Sequence, residues 1–144
     1  MARFRFTLHV DAPPSTVYAL WTNLERMHEW IEGISSVSHP TGPMDVVGTR
    51  YTVRIGGMES PTEILAADPP KLFHTRFGNR MLRGESVATF EPDGGGTRLI
   101  QEYRTTGLVP AIVGRLFATG SYRGSFRGEL NQFARIAQRE SGRS

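Results

Sequence analysis

The 144-residue chain contains no cysteine. That excludes disulfide staples, a thiolate nucleophile and cysteine-ligated zinc. Histidine is scarce. Among His9, His28, His39 and His74 no two stand at i and i+4, and there is no His-Glu-x-x-His, so no metal centre is expected. Lysine is nearly absent: Lys71 stands beside 16 arginines. Those arginines are scattered, with no block of five or six like charges. Nucleic-acid binding draws on a clustered basic face, so no nucleic-acid partner is expected. No apolar run approaches the ~18 residues that span a bilayer. The opening Met1-Ala2-Arg3-Phe4 lacks the apolar stretch of a signal peptide. No Gly-x-Ser-x-Gly elbow occurs, and Gly94-Gly95-Gly96 lacks the Gly-Lys-Ser/Thr and helix of a phosphate loop. The expectation is one cytoplasmic domain over residues 1–144, monomer or homodimer, with no integral membrane segment, no cofactor and a flexible tail at 140–144.

What is present is periodic. Phe4, Phe6, Leu8 and Val10 alternate with Arg3, Arg5, Thr7 and His9, the pattern of a half-buried strand. Pro13 and Pro14 suit a helix entry, where a missing N–H costs nothing. Val17, Leu20, Trp21 and Leu24 recur at helical spacing, and Met27, Trp30, Ile31 and Ile34 predict a second short helix or turn. After a loop at 39–48, strands are predicted at about 49–56, 61–67, 71–77, 84–91 and 97–105, with a weaker one near 35–39. Pro92-Asp93-Gly94 reads as a turn that needs positive φ. The close spacing favours antiparallel hairpins. A last segment, about 110–139, places Ile112, Leu116, Phe126, Leu130, Phe133 and Ala137 on one helical arc, with Thr119 and Arg123 on or beside it. Gly120, Gly124 and Gly128 recur along the same segment, each costing about 1 kcal/mol relative to alanine in a helix. They either break the helix or admit a close neighbour.

The order of these features carries a resemblance. The pieces are Phe4-x-Phe6-x-Leu8-x-Val10, Asp11-Ala12-Pro13-Pro14 with an amphipathic helix to Trp30, a strand opening Gly48-Thr49-Arg50-Tyr51, the Phe90-to-Leu99 hairpin and a long C-terminal helix. Together they resemble the polyketide cyclase/dehydrase-like branch of the START-like (SRPBCC) superfamily over nearly the whole chain. The resemblance implies an α+β helix-grip fold. About seven antiparallel strands form a curved sheet around the C-terminal helix, two short helices follow the first strand, and an internal ligand cavity lies between sheet and helix.

Strand parity proposes which residues face that cavity. Tyr51, Val53 and Ile55 alternate with Arg50, Thr52 and Arg54. Leu99, Gln101 and Tyr103 alternate with three charged residues and Ile100. Ser86, Ala88 and Phe90 form a third inward set; for Phe73, Thr75 and Phe77 parity is less decisive. Leu116, Thr119, Gly120 and Arg123 join them from the helical segment. Large aromatics with a few polar groups compose a ligand pocket more readily than a plain core. Tyr51 and Tyr103 read either as hydroxyls that hold a ligand oxygen or as core aromatics. Gln101, an amide at a strand centre, must find partners. Arg123 needs an anion or a route to solvent. Pocket Arg and Tyr groups in aromatase/cyclases of the family make Arg123, Tyr103 and Tyr51 the catalytic candidates that the resemblance implies. His74 with Glu63 or Glu102 is a weaker acid–base pair, since parity turns His74 outward. Three functions stay open: a carrier of a small hydrophobic or aromatic ligand (lipid, polyketide-like compound or quinone), a polyketide aromatase/cyclase or dehydrase, and a protein-interaction module.

Overall fold

Alternation sets the first strand, β1 (Ala2–Val10), whose inward side carries Phe6 and Val10, both buried. The computed structural model describes residues 2–31, 33–55, 58–78, 83–106 and 121–142, the last segment with side chains from Gly128 onward. A short helix, α1 (Pro14–Trp21), begins with proline at its first position and buries Val17, Tyr18, Leu20 and Trp21. A 3₁₀ turn, Leu24–Glu29, follows, capped by the Asn23 side chain, which accepts from the Glu25 N–H. The remaining strands are β2 (Ile34–Val37), β3 (Arg50–Ile55), β4 (Met58–Asp68), β5 (Leu72–Gly78), β6 (Arg83–Asp93) and β7 (Gly96–Thr106). The C-terminal helix is α2 (Ser121–Glu140).

All seven strands join one antiparallel sheet in the order β1-β7-β6-β5-β4-β3-β2. Consecutive strands from β2 to β7 are neighbours, and β1 closes onto β7 with Phe6 opposite Gln101 and Leu8 opposite Leu99. The β6–β7 turn is narrower than the predicted Pro-Asp-Gly. Asp93 pairs with Gly96, and Gly94 and Gly95 form the two-residue link at φ of 59° and 88°. Two consecutive positive φ values are what the right-handed twist of a tight hairpin demands.

Parity holds where it was decisive and settles where it was not. In β5, Phe73 and Thr75 are buried and Arg76 is exposed, so Phe73, Thr75 and Phe77 form the inward set. Strand β4 hides a bulge. Ile64 pairs with Thr75 but Ala66 with His74, so the extra residue at Leu65 moves Ala67 opposite Phe73. The outer face is a lattice of charges, with Arg50 3.2 Å and Arg76 3.6 Å from Glu63. Arg5 lies 3.8 Å from Glu102, and His74 Nε2 lies 3.0 Å from Glu85, not from Glu63 or Glu102. Such exposed pairs contribute about 1 kcal/mol or less each.

Helix α2 is unbroken at Gly124 and Gly128. Gly128 is exposed, and a Cβ there would meet nothing within 4 Å, so no close neighbour explains it. Gly120 lies outside the described residues. Leu130, Phe133, Ala134, Ile136 and Ala137 form the buried stripe, and α2 packs on β1 and α1. Glu140 contacts Arg26, the Ser141 N–H donates to the Ala137 carbonyl, and Gly142 at φ 77° ends the helix.

The core beneath α2 is an aromatic cluster. Trp21 and Trp30 stack with centroids 4.8 Å apart. Phe133, fully buried, presents edges to both, at 5.2 and 5.0 Å. Phe90 meets Trp21 at 6.0 Å and Tyr18 at 5.2 Å, and Tyr18 meets Phe73 at 6.2 Å.

Candidate functional site

The inward face of the sheet has two unlike halves. Reading across the register, one half carries Val10, Leu8, Leu99 and Phe90, which lie on or against the aromatic cluster. The other half is polar. One row across it runs Tyr51, Thr62, Phe77, Gly84 and Thr105; the next runs Ile64, Thr75, Ser86 and Tyr103; Gln101 stands beyond them between Ala88 and Phe6. Tyr51, Thr62, Thr75 and Thr105 are each less than a tenth exposed, and Gln101 is fully buried. No described side chain on this inward face of the sheet carries a formal charge.

Burial acts on the phenols. Desolvation pushes the pKa of Tyr51 well above its usual value. Tyr103 is pushed up by desolvation and then by the carboxylate of Glu129 on α2. Tyr18, whose hydroxyl donates to the Leu72 carbonyl at 3.2 Å, is raised to about 12, by burial first and then by Asp45 and Asp68. All three are neutral hydroxyls at physiological pH. They can donate and accept hydrogen bonds, but they are far from the pKa near 7 that suits a general base.

Gln101 is the most constrained polar group. Its Nε2 donates to Ser86 Oγ at 2.7 Å and more weakly to the Glu102 carbonyl at 3.3 Å. Its Oε1 is buried with no hydrogen-bond partner among the described residues, as is Thr105 Oγ1. Buried polar atoms are normally paired, so each orphan calls for a water or a ligand. Four residues along β7, the two groups stand about 13 Å apart at the usual rise of an extended strand.

Of the residues proposed from parity, the fold gathers Tyr51, Thr75, Phe77, Ser86, Gln101 and Tyr103 on the polar half. Phe77 meets Tyr103 edge-on at 6.3 Å. Ala88 borders Gln101, and Val53 is half-buried nearer the sheet edge. Phe90, Leu99 and Phe73 are instead packed into the core, with Phe90 and Leu99 each 1% exposed. Ile55 lies at the end of β3 and is 39% exposed, because its neighbours there are the edge strand and the β3–β4 hairpin end. Leu116, Thr119 and Gly120 lie outside the described residues, as does the side chain of Arg123. Parity missed two members. Thr105 extends the alternation Leu99, Gln101, Tyr103 by one step and was readable. Thr62 sits on β4, whose bulge obscures its pattern.

An open trough of about 1000 Å³ is bordered by Ser38, His39 and Thr41 and by β3 to β7 near Arg50, Glu63, Arg76, Arg83, Glu85 and Arg104. These strand residues alternate with the inward set, so this trough belongs chiefly to the charged outer face. Tyr51, Thr62, Phe77 and Gly84, four members of the first row on the inward face, also border it. Its walls mix charged and apolar surface and are open to solvent. No group of three or more His, Asp or Glu side chains suited to a metal occurs among the described residues. No described helix is long and apolar enough to cross a membrane.

Comparison with known proteins bears on the family and the fold. The family described as polyketide cyclase / dehydrase and lipid transport matches residues 1–138. Solved structures share the fold at low identity. Protein MLL2253 from Mesorhizobium loti is 19% identical over 96% of this chain and 98% of its own, with a TM-score of 0.75. Protein NE0264 from Nitrosomonas europaea is 12% identical over 97% and 96%, with a TM-score of 0.77. DynU16, from the dynemicin biosynthetic locus, is 21% identical; the match covers 98% of this chain and 48% of that one, with a TM-score of 0.68. No curated protein matches the chain.

Proposed function

The chain belongs to the polyketide cyclase/dehydrase and lipid transport family, and from that premise we propose that it binds a small hydrophobic molecule between the inward face of its sheet and its C-terminal helix. The ligand class is a lipid, a polyketide-like aromatic or a quinone. One observation carries the reading. The half of the inward face away from the aromatic cluster is largely buried yet lined by uncharged polar groups, and Gln101 Oε1 and Thr105 Oγ1 have no partner among the described residues. A few fixed polar groups in apolar surroundings orient a ligand, whereas a dry core of this size has no use for them.

Carriage is favoured over catalysis by the same groups. An aromatase/cyclase or dehydrase would work by holding an enolate or moving a proton. The described phenols are driven away from proton exchange near neutral pH. His74, the described imidazole nearest these rows, faces outward to Glu85. The interaction-module reading has less support, because Thr75, Gln101 and Thr105 are buried and out of reach of a protein partner.

The test is displacement of a neutral fluorescent probe, N-phenylnaphthylamine, together with native mass spectrometry of freshly purified protein. Stoichiometric probe binding that is lost in Ser86→Phe, with unchanged unfolding, is the expected result. Probe binding untouched by a bulky residue at Ser86 would place the ligand elsewhere.

A further inference from the structure

Gln101 is held in one orientation by its surroundings. Ser86 Oγ can either donate or accept, so it does not by itself say which end of the amide faces it. The Glu102 carbonyl can only accept, and it lies 3.3 Å from the same amide end. That end is therefore the NH₂. The remaining end, Oε1, is an acceptor on a fully buried side chain, without a partner among the described residues. An unpaired buried acceptor is costly, and the cost is recovered when a donor arrives.

We infer that Gln101 selects a neutral ligand that donates a hydrogen bond, such as a phenol, an enol or an alcohol, and discriminates against both ethers and carboxylates. This rests on the proposed binding of a hydrophobic molecule at the polar half of the inward face. The donor requirement comes from Oε1. An ether oxygen or a carboxylate would set lone pairs against lone pairs. Neutrality follows from the charges nearby. No described inward-facing residue of the sheet is cationic, and the carboxylate of Glu129 already raises the pKa of Tyr103. An anion brought here would lose its hydration with no positive partner among the described residues of that face. A fatty acid entering head first is thus a poor fit, and a hydroxylated ring or alcohol is a good one.

Three probes of the same ring system separate the possibilities: naphthol, its methyl ether and naphthoate, each competed against N-phenylnaphthylamine. Wild-type protein should bind naphthol about 10-fold more tightly than the methyl ether, within the range of a buried hydrogen bond made or missed, and naphthoate most weakly. In Gln101→Met, which keeps length and removes the acceptor, naphthol should lose this advantage and the ether should bind at least as well. The wild-type protein supplies a second readout. Naphthol, and not the ether, should shift the side-chain NH₂ resonances of Gln101 as Oε1 takes up the hydrogen bond. Equal affinity for naphthol and its ether in the wild type overturns this inference while leaving the binding site standing. So does a preference that survives in folded Gln101→Met, or an unmoved Gln101 resonance. Displacement by none of the three overturns the binding site and this inference together.

Discussion

Truncating Phe133 should undo the seat of the C-terminal helix. The side chain is fully buried and fills the angle between the stacked rings of Trp21 and Trp30, with centroids 5.2 and 5.0 Å away. Phe→Ala in a core costs about 3 to 5 kcal/mol. Two edge-to-face contacts, each contributing roughly 0.5 to 1.5 kcal/mol beyond burial, put this site toward the upper end. A domain of this size has a total stability of about 5 to 15 kcal/mol, so Phe133→Ala should remove a third or more of it. Urea unfolding followed by tryptophan fluorescence suits the question, because the chain has two tryptophans and both touch Phe133. Circular dichroism supplies the global probe, and coincident transitions would license a single free energy. The midpoint should fall steeply with little change in slope. A loss below about 1 kcal/mol would refute the reasoning, since it would mean the ring contributes little beyond what an alanine leaves behind.

Gly128→Ala should raise stability by about 0.5 to 1 kcal/mol, because the helix gains propensity and a Cβ there meets open space; thermal melts check this, and a fall would show a hidden neighbour. Gly84→Ala should do the reverse, by about 1 to 3 kcal/mol, as its Cβ would lie 2.5 Å from the Arg104 carbonyl oxygen and 3.0 Å from the Phe77 ring. Alkaline pH should destabilise the fold. Tyr18, Tyr51 and Tyr103 hold their protons more tightly folded than unfolded, so above about pH 10 the unfolded chain binds fewer protons and stability declines as pH rises. That decline should continue through the Tyr18 value of about 12. Urea midpoints measured across this range should fall less steeply in the Tyr51→Phe, Tyr103→Phe double variant; an identical decline would remove these phenols as the cause.

Periodicity determined much of this protein before any contact was known. Strand alternation has a period of two, so a single run such as Leu99, Gln101, Tyr103 assigns its own inward face, and buried Tyr51, Ala88 and Leu99 lie on the faces that parity gave β3, β6 and β7. The short helices after β1 and the helical stripe of Leu130, Phe133 and Ala137 were readable for the same reason. Periodicity says which face a residue takes, not what lies opposite it. Packing across the sheet decided that Phe90 and Leu99 belong to the aromatic core whereas Gln101, on the same face of the same strand as Leu99, keeps an acceptor with no partner among the described residues. The bulge at Leu65 shifts the parity of β4, and no local pattern announces it, because the extra residue is accommodated by the partner strand rather than by its own neighbours. The stacking of Trp21 on Trp30 and their joint contact with Phe133 bring together residues about a hundred positions apart. Local propensity is a property of a few consecutive residues, while the division of one sheet face into a packed half and a polar half exists only once the chain has closed on itself.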